Sequence, residues 1–207
     1  LKDPVNAPTL IPMYRRYAQT LEKLGFAIPS LKDTNTIPLE KGPWKKVGVA
    51  PFARHKGKQW PVERMRGIVE YLAGAGSTVY LFGGGTSEKE TLREWARHNE
   101  QIQVAGDNGK GFAAELSVIR ELDVMISMDS ANMQFASAVG IPVISIWGAT
   151  HPKAGFYGFR QDPQRAIQYS LDCRPCSIFG AKPCWKGTYE CMEQITEEHV
   201  ISFFERI

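Results

Sequence analysis

Asp129 and Ser130 stand where chemistry can be done, in a polar turn between two apolar runs of residues 122–148, LDVMISMDSANMQFASAVGIPVISIWG. The stretch reads as a strand, a turn, a short helix closed by Gly140, and a second strand over residues 142–147. Asp or Ser at a helix start caps free backbone N–H groups, and the N-terminal end of a helix attracts anions. A phosphate suits that position. Three more groups carry suitable side chains: the basic cluster Arg54, His55, Lys56 and Lys58; the triplet Gly83, Gly84 and Gly85 followed by Ser87 and Glu88; and His151 in GATHPKAGFYGF.

Each group follows a predicted strand. Residues 46–52 (KVGVAPF, beginning at Lys46) read as the first strand, with a helix over 61–75 after the basic loop. Residues 77–82 read as the second strand, followed by a helix capped by Ser87 that runs to about His98. Further strands are expected over 102–105 and 123–128, with a helix over 112–122 between them. Strands alternating with helices of this length predict an α/β fold: a Rossmann-like parallel sheet with helices on both faces. Ligands of such sheets sit beyond the carboxyl ends of the strands, which is where all four groups fall. Basic side chains, small residues, a helix N-terminus and a carboxylate together suit a phosphorylated ligand bearing hydroxyls. Taken singly, a basic loop is usually a solvated surface, a glycine triplet a turn, and a capping Asp only a cap. The triplet is neither a G-x-G-x-x-G fingerprint nor a P-loop, because no GK[ST] follows it; dehydrogenase and P-loop NTPase chemistry are disfavoured.

With 207 residues, 43% hydrophobic and 23% charged, the chain can bury one sizeable core. A net charge of +3 with interspersed signs marks no nucleic-acid stripe and no membrane-surface helix. No apolar run reaches spanning length and the opening residues lack a signal-peptide core, so a cytoplasmic location is expected. The chain begins with Leu and with no strand and Gly-rich turn, so it reads as a piece of a longer protein. Residues 9–24 carry Leu10, Met13, Tyr14, Tyr17, Leu21 and Leu24 at helical spacing, stopped by Gly25. Residues 26–45, with Pro29, Pro38 and Pro43, read as a linker.

PFARHKGKQWP, LFGG, MDSANMQFASAVGIPVISIWGATHP and the later CRPC segment resemble the nucleotide-sugar-binding half of glycosyltransferase family 9, the ADP-heptose:lipopolysaccharide heptosyltransferases. The resemblance runs from about Lys46 onward. It implies the C-terminal half of a GT-B fold: an interdomain helix and linker over 1–45 and a donor-binding domain over 46–207. It also implies inverting transfer of a heptose or related sugar from a nucleotide diphosphate donor, ADP-linked, to a lipopolysaccharide or envelope glycan. Lys58 matches the family lysine that meets the donor phosphate and is the implied catalytic residue. Asp129 matches the donor-site carboxylate, with Ser130 and Ala131 near the pyrophosphate, and the ribose position falls at Ser87 or Glu88. Arg54 and His151 complete the implied binding set, although His151 reads equally well as a polar loop residue. Gln134 stands where the family typically has His, which leaves the sugar open.

The family's general base belongs to the N-terminal domain, so the resemblance implies donor binding without substantial transfer by this chain alone. It implies no cofactor for transfer and a peripheral place at the inner membrane. A nonenzymatic nucleotide-binding module and another GT-B enzyme, such as a nucleotide-sugar epimerase, are the alternatives. Cys173, Cys176, Cys184 and Cys191 form C-x2-C-x7-C-x6-C in an excursion over residues 171–192. That spacing is open to a structural zinc, to disulfides and to free thiols. Trp60 and Trp147 read as packing residues, and His98 and His199 as helix-surface residues.

Overall fold

The computed structural model describes residues 8–28, 35–106 and 111–207. Within them the sheet has six strands, all parallel: β1 (Lys46–Ala50), β2 (Thr78–Leu81), β3 (Ile102–Val104), β4 (Val124–Met128), β5 (Val143–Trp147) and β6 (Ala166–Gln168). Their order is β3-β2-β1-β4-β5-β6, with Val47 in register with both Val79 and Val124. This is the doubly wound order whose connections reverse between β1 and β4, opening a crevice at the carboxyl ends of those two strands.

The expected Rossmann-like arrangement is therefore observed, and its cause is visible in the strands. β4 and β5 are buried throughout because both faces are covered, so they read as apolar runs, each broken by one buried serine, Ser127 and Ser145. Val124, Ile126 and Met128 enter one core with Met65 and Ile68 of α2 (Val62–Gly74), Leu92 of α3 (Gly85–Ala96) and Phe204 of α7 (Glu197–Arg206). Met125 enters the opposite core with Ile119 of α4 (Gly111–Ile119) and Met133 of α5 (Ala131–Val139). Trp60 and Trp147 are fully buried, as expected of packing residues. The Trp60 indole N–H donates to the Ile195 carbonyl at 2.9 Å, which ties the loop after β1 to the chain before α7.

Several boundaries differ from the expectation. α1 spans Met13–Lys23, because residues before Pro12 are drawn into backbone bonds with the loop after β5, Leu10 N–H donating to the Lys153 carbonyl. Its apolar stripe is exposed at Tyr17, Leu21 and Leu24. α3 starts two residues before Ser87, with Gly84 as the cap position and Gly85 in a left-handed conformation at φ 65° that glycine tolerates. The Glu88 carboxylate takes the Gly84 N–H at 2.7 Å, so it performs the capping expected of Ser87. β6 and the short helix α6 (Glu190–Glu193) lie outside the pattern read from the sequence. Pro29 lies outside the described residues, whereas Pro38 and Pro43 fall in irregular chain, beside Ile37 and Trp44, which are buried. His98 and His199 are exposed; His98 sits in the turn after α3, and His199 closes a capping box with Thr196 at the start of α7.

Candidate functional site

A cleft of about 590 Å³ opens at the switch point. The loop from β1 supplies Arg54, His55 and Lys58; the β2 end supplies Gly83 and Glu88; and the β4 end supplies Asp129, Ser130, Ala131, Asn132 and Gln134. Phe156 and Phe179 close the outer wall. Of the expected site residues, Arg54, Lys58, Glu88, Asp129, Ser130, Ala131 and Gln134 thus converge. Ser87 does not: it is exposed on α3, and its carbonyl accepts the Thr91 hydroxyl. His151 does not line this cleft either.

The loop that carries Lys58 is held from within. Gln59 accepts the Ala53 N–H and donates to the carbonyls of Pro51 and Trp60, each at 2.7–2.8 Å. Lys58 ends a short 3-10 turn, Lys56–Lys58, whose Gly57 carbonyl accepts the Ala149 N–H at 2.7 Å. A Cβ on Gly57 would come within 2.8 Å of the Ala149 Cβ, so only glycine lets the two loops meet. The Lys58 ammonium then lies 2.9 Å from Asp129 Oδ2.

Asp129 is 5% exposed and does not cap α5. Its Oδ2 accepts the Thr150 hydroxyl at 2.8 Å besides the lysine, so the expected cap is instead an anchor for Lys58. Ser130 occupies the cap position, but no side chain caps the helix; its hydroxyl is 3.0 Å from that of Ser127. The first N–H groups of α5 are therefore left for an anion in the cleft. An ammonium and a helix N-terminus side by side suit two or three negative charges on adjacent phosphates, and they would stabilise a diphosphate as it leaves. Glu88 lines the cleft two strands away from Asp129, with a carboxylate able to accept from hydroxyls.

His151 instead lines a second cavity of about 450 Å³ with Tyr157 and Arg160. Its Nδ1 accepts the Lys153 N–H at 3.0 Å. Burial, with help from the nearby Arg174 and Lys153 charges, pushes its pKa down to about 4.

The structure adds residues that the sequence did not single out. Arg174 is 4% exposed and donates to the carbonyls of Gly148, Trp147, Thr150 and Tyr169 and to the Gln168 side chain. It fixes the loop that presents Thr150 to Asp129. Its place between Cys173 and Cys176 in CRPC was the available signal. Phe156 and Phe179 meet edge to face at 5.3 Å between ring centres. Phe179 comes from the cysteine-rich excursion, which thus borders the cleft.

The four cysteines carry free thiols and line one small cavity with Arg174. Among the described residues no three His, Cys, Asp or Glu side chains are gathered as a metal ligand set. Burial raises the Cys184 thiol, yet the backbone N–H groups of Tyr189, Lys186, Gly187 and Thr188 outweigh it and bring the thiol below its ordinary value. Burial raises Cys176 and Cys191.

Residues 16–177 match the family described as Glycosyltransferase family 9 (heptosyltransferase). The chain belongs to glycosyltransferase family 9. Lipopolysaccharide heptosyltransferase 3 of Escherichia coli K12 is 30% identical over 151 residues, covering 65% of this chain and 43% of that protein. Lipooligosaccharide heptosyltransferase 2 of Haemophilus influenzae is 28% identical over 161 residues, covering 72% and 42%. The structure of the E. coli heptosyltransferase WaaC with ADP aligns over 97% of this chain and 57% of its own, with a TM-score of 0.68 and 18% identity. The same enzyme with ADP-2-deoxy-2-fluoro heptose gives 0.63 at 18% identity, over 93% and 55% of the two chains. The family 9 chain described here spans about half the length of the curated relatives it matches. No helix among its described residues is long and apolar enough to cross a membrane.

Proposed function

We propose that this family 9 chain is the donor-binding half of a heptosyltransferase, holding an ADP-linked heptose for inverting transfer to a lipopolysaccharide-type acceptor. The observation that carries the reading is the Lys58–Asp129 pair beside the uncapped start of α5 at the switch point. Relatives named as lipopolysaccharide heptosyltransferases, and a similar fold solved with ADP, support the donor and the acceptor class. Lys58 and the α5 N-terminus take the diphosphate, and Glu88 takes the ribose hydroxyls.

Among the described residues, Asp129 and Glu88 are the acidic residues lining the cleft, and both are engaged, by Lys58 and Thr150 and by the Gly84 N–H. In this reading an N-terminal domain supplies the general base and the acceptor site, and the assembled enzyme works in the cytoplasm, peripheral to the inner membrane. Calorimetry with ADP, UDP and GDP tests the reading: selective ADP binding that Lys58→Ala weakens supports it, and no nucleotide binding overturns it. Full turnover by the 207-residue chain alone would overturn the assignment of the base to another domain.

We also propose that the cysteine-rich excursion holds a structural zinc. The shared cavity of the four thiols supports it; among the described residues no three of them stand together as a ligand set, so the metal would have to draw them in. Metal analysis after gentle purification should find about one zinc per chain; metal-free protein with an unchanged melting temperature overturns it.

A further inference from the structure

The order of strands lays the cleft out as a line. Glu88 follows β2, Lys58 follows β1, Asp129 follows β4 and Phe156 follows β5, and these strands are consecutive neighbours in the sheet. On the donor-site reading above, on which this inference rests, the ribose lies at Glu88 and the diphosphate at Lys58 and α5. The sugar then falls at the β5 end, where Phe156 and Phe179 stand.

Phe179 is 61% exposed although it lines the cleft, so burial in a core does not explain where it is held. It is held by three local devices. Its ring meets that of Phe156 at 5.3 Å and 63° between planes. Phe156 is fixed in turn by the Gln134 side-chain amide, which donates to its carbonyl at 2.8 Å. Gly180, left-handed at φ 76°, turns the chain so closely onto Lys58 that a Cβ there would lie 2.6 Å from the lysine Cγ. The turn that brings Phe179 to the cleft thus rests on the aliphatic stem of the phosphate-site lysine.

A sugar ring in its chair form has a face made of C–H groups. An aromatic face or edge is the side chain that covers such a surface while leaving the hydroxyls to polar partners. We propose that Phe156 and Phe179 form the wall on which the transferred sugar lays its C–H face, so that the cysteine-rich excursion, through Phe179, sets which sugar the site accepts. Gln134, bonded to the Phe156 backbone, positions this wall from α5.

The test compares ADP with ADP-heptose by calorimetry on the unaltered protein, on Phe179→Ala and on Phe179→Trp. The expected result is tighter binding of ADP-heptose than of ADP by the unaltered protein, and a loss of about tenfold in ADP-heptose affinity for Phe179→Ala, the size of a single aromatic contact. ADP affinity stays unchanged, and Phe179→Trp keeps the sugar preference. Because Phe179 is exposed, the alanine variant should melt with the unaltered protein, which a thermal scan checks. Equal losses for both ligands would make the pair a nucleoside contact, and no loss for either would leave it without a role; both overturn the proposal. No ADP binding by the unaltered protein would instead sink the donor-site reading, and this inference with it.

Discussion

Lys58 Nζ lies 2.9 Å from Asp129 Oδ2, joining the loop after β1 to the turn after β4 across the point where the sheet reverses its winding. The carboxylate also holds Thr150, so it aims the ammonium rather than facing a phosphate itself. Lys58→Ala should weaken ADP binding roughly 10- to 100-fold, the range for a hydrogen bond to a charged group. Asp129→Asn should weaken it by a smaller factor, because the amide can still accept from Thr150 but no longer anchors the lysine. Calorimetry separates the two, and tighter binding by Asp129→Asn would show that the carboxylate repels the ligand.

The contact between Gly57 and Ala149 predicts a compensating pair. Gly57→Ala places a methyl group 2.8 Å from the Ala149 Cβ and pushes the Lys58 loop away from β5. The expected cost is about 1–3 kcal/mol of stability, with weaker ADP binding. Adding Ala149→Gly removes that contact and leaves only the Gly180 carbonyl oxygen close, at 3.2 Å, so the double variant should recover part of both losses in denaturant titrations and calorimetry.

His151 gives stability a pH dependence. Its folded-state pKa of about 4 lies below the ordinary 6.5, chiefly through burial. As pH falls through 6.5 the unfolded chain takes up a proton that the folded chain refuses, so this contribution to stability is complete above 6.5 and declines toward pH 4. His151→Gln should flatten that part of the stability–pH curve, and an NMR titration of the imidazole should place its midpoint near 4. A midpoint near 6.5 would refute the burial.

Arg174 predicts a large loss on conservative change. Its guanidinium serves four carbonyls and one side-chain amide at once, a fan that an ammonium cannot reproduce. Arg174→Lys should cost about 3 kcal/mol or more, a fall of roughly 6–12 °C in melting temperature for a chain of this size. Cys176→Ser, whose thiol is only partly buried, should cost less in metal-free protein.

What was legible in the sequence follows from what is local. β4, α5 and β5 declared themselves because doubly covered strands are largely apolar, with a single serine in each, and Gly140 ends the helix at φ 85°. Lys58, Glu88 and Asp129 were recognisable as side chains at strand ends. Their functional relation was not, because the Lys58–Asp129 bond and the Thr150 hydroxyl bond are made between distant parts of the chain. Ser87 was mistaken for a cap because a glycine start, closed by a carboxylate four residues on, carries no Ser, Thr or Asn at the cap itself. β6, at three residues, is too short to show a period. Phe179 sits among prolines, glycines and cysteines, where its partner Phe156 could be found only in three dimensions.

The β1–β4 junction also divides the sheet into two wings, one carrying Lys58 and Glu88 and the other Asp129 and Phe156. A molecule lying across the cleft is then a tie between the wings, and any fluctuation that parts them must first release it. Binding would be felt in the middle of the sheet, as slower amide exchange along the seam where Val47 to Ala50 face Val124 to Ser127.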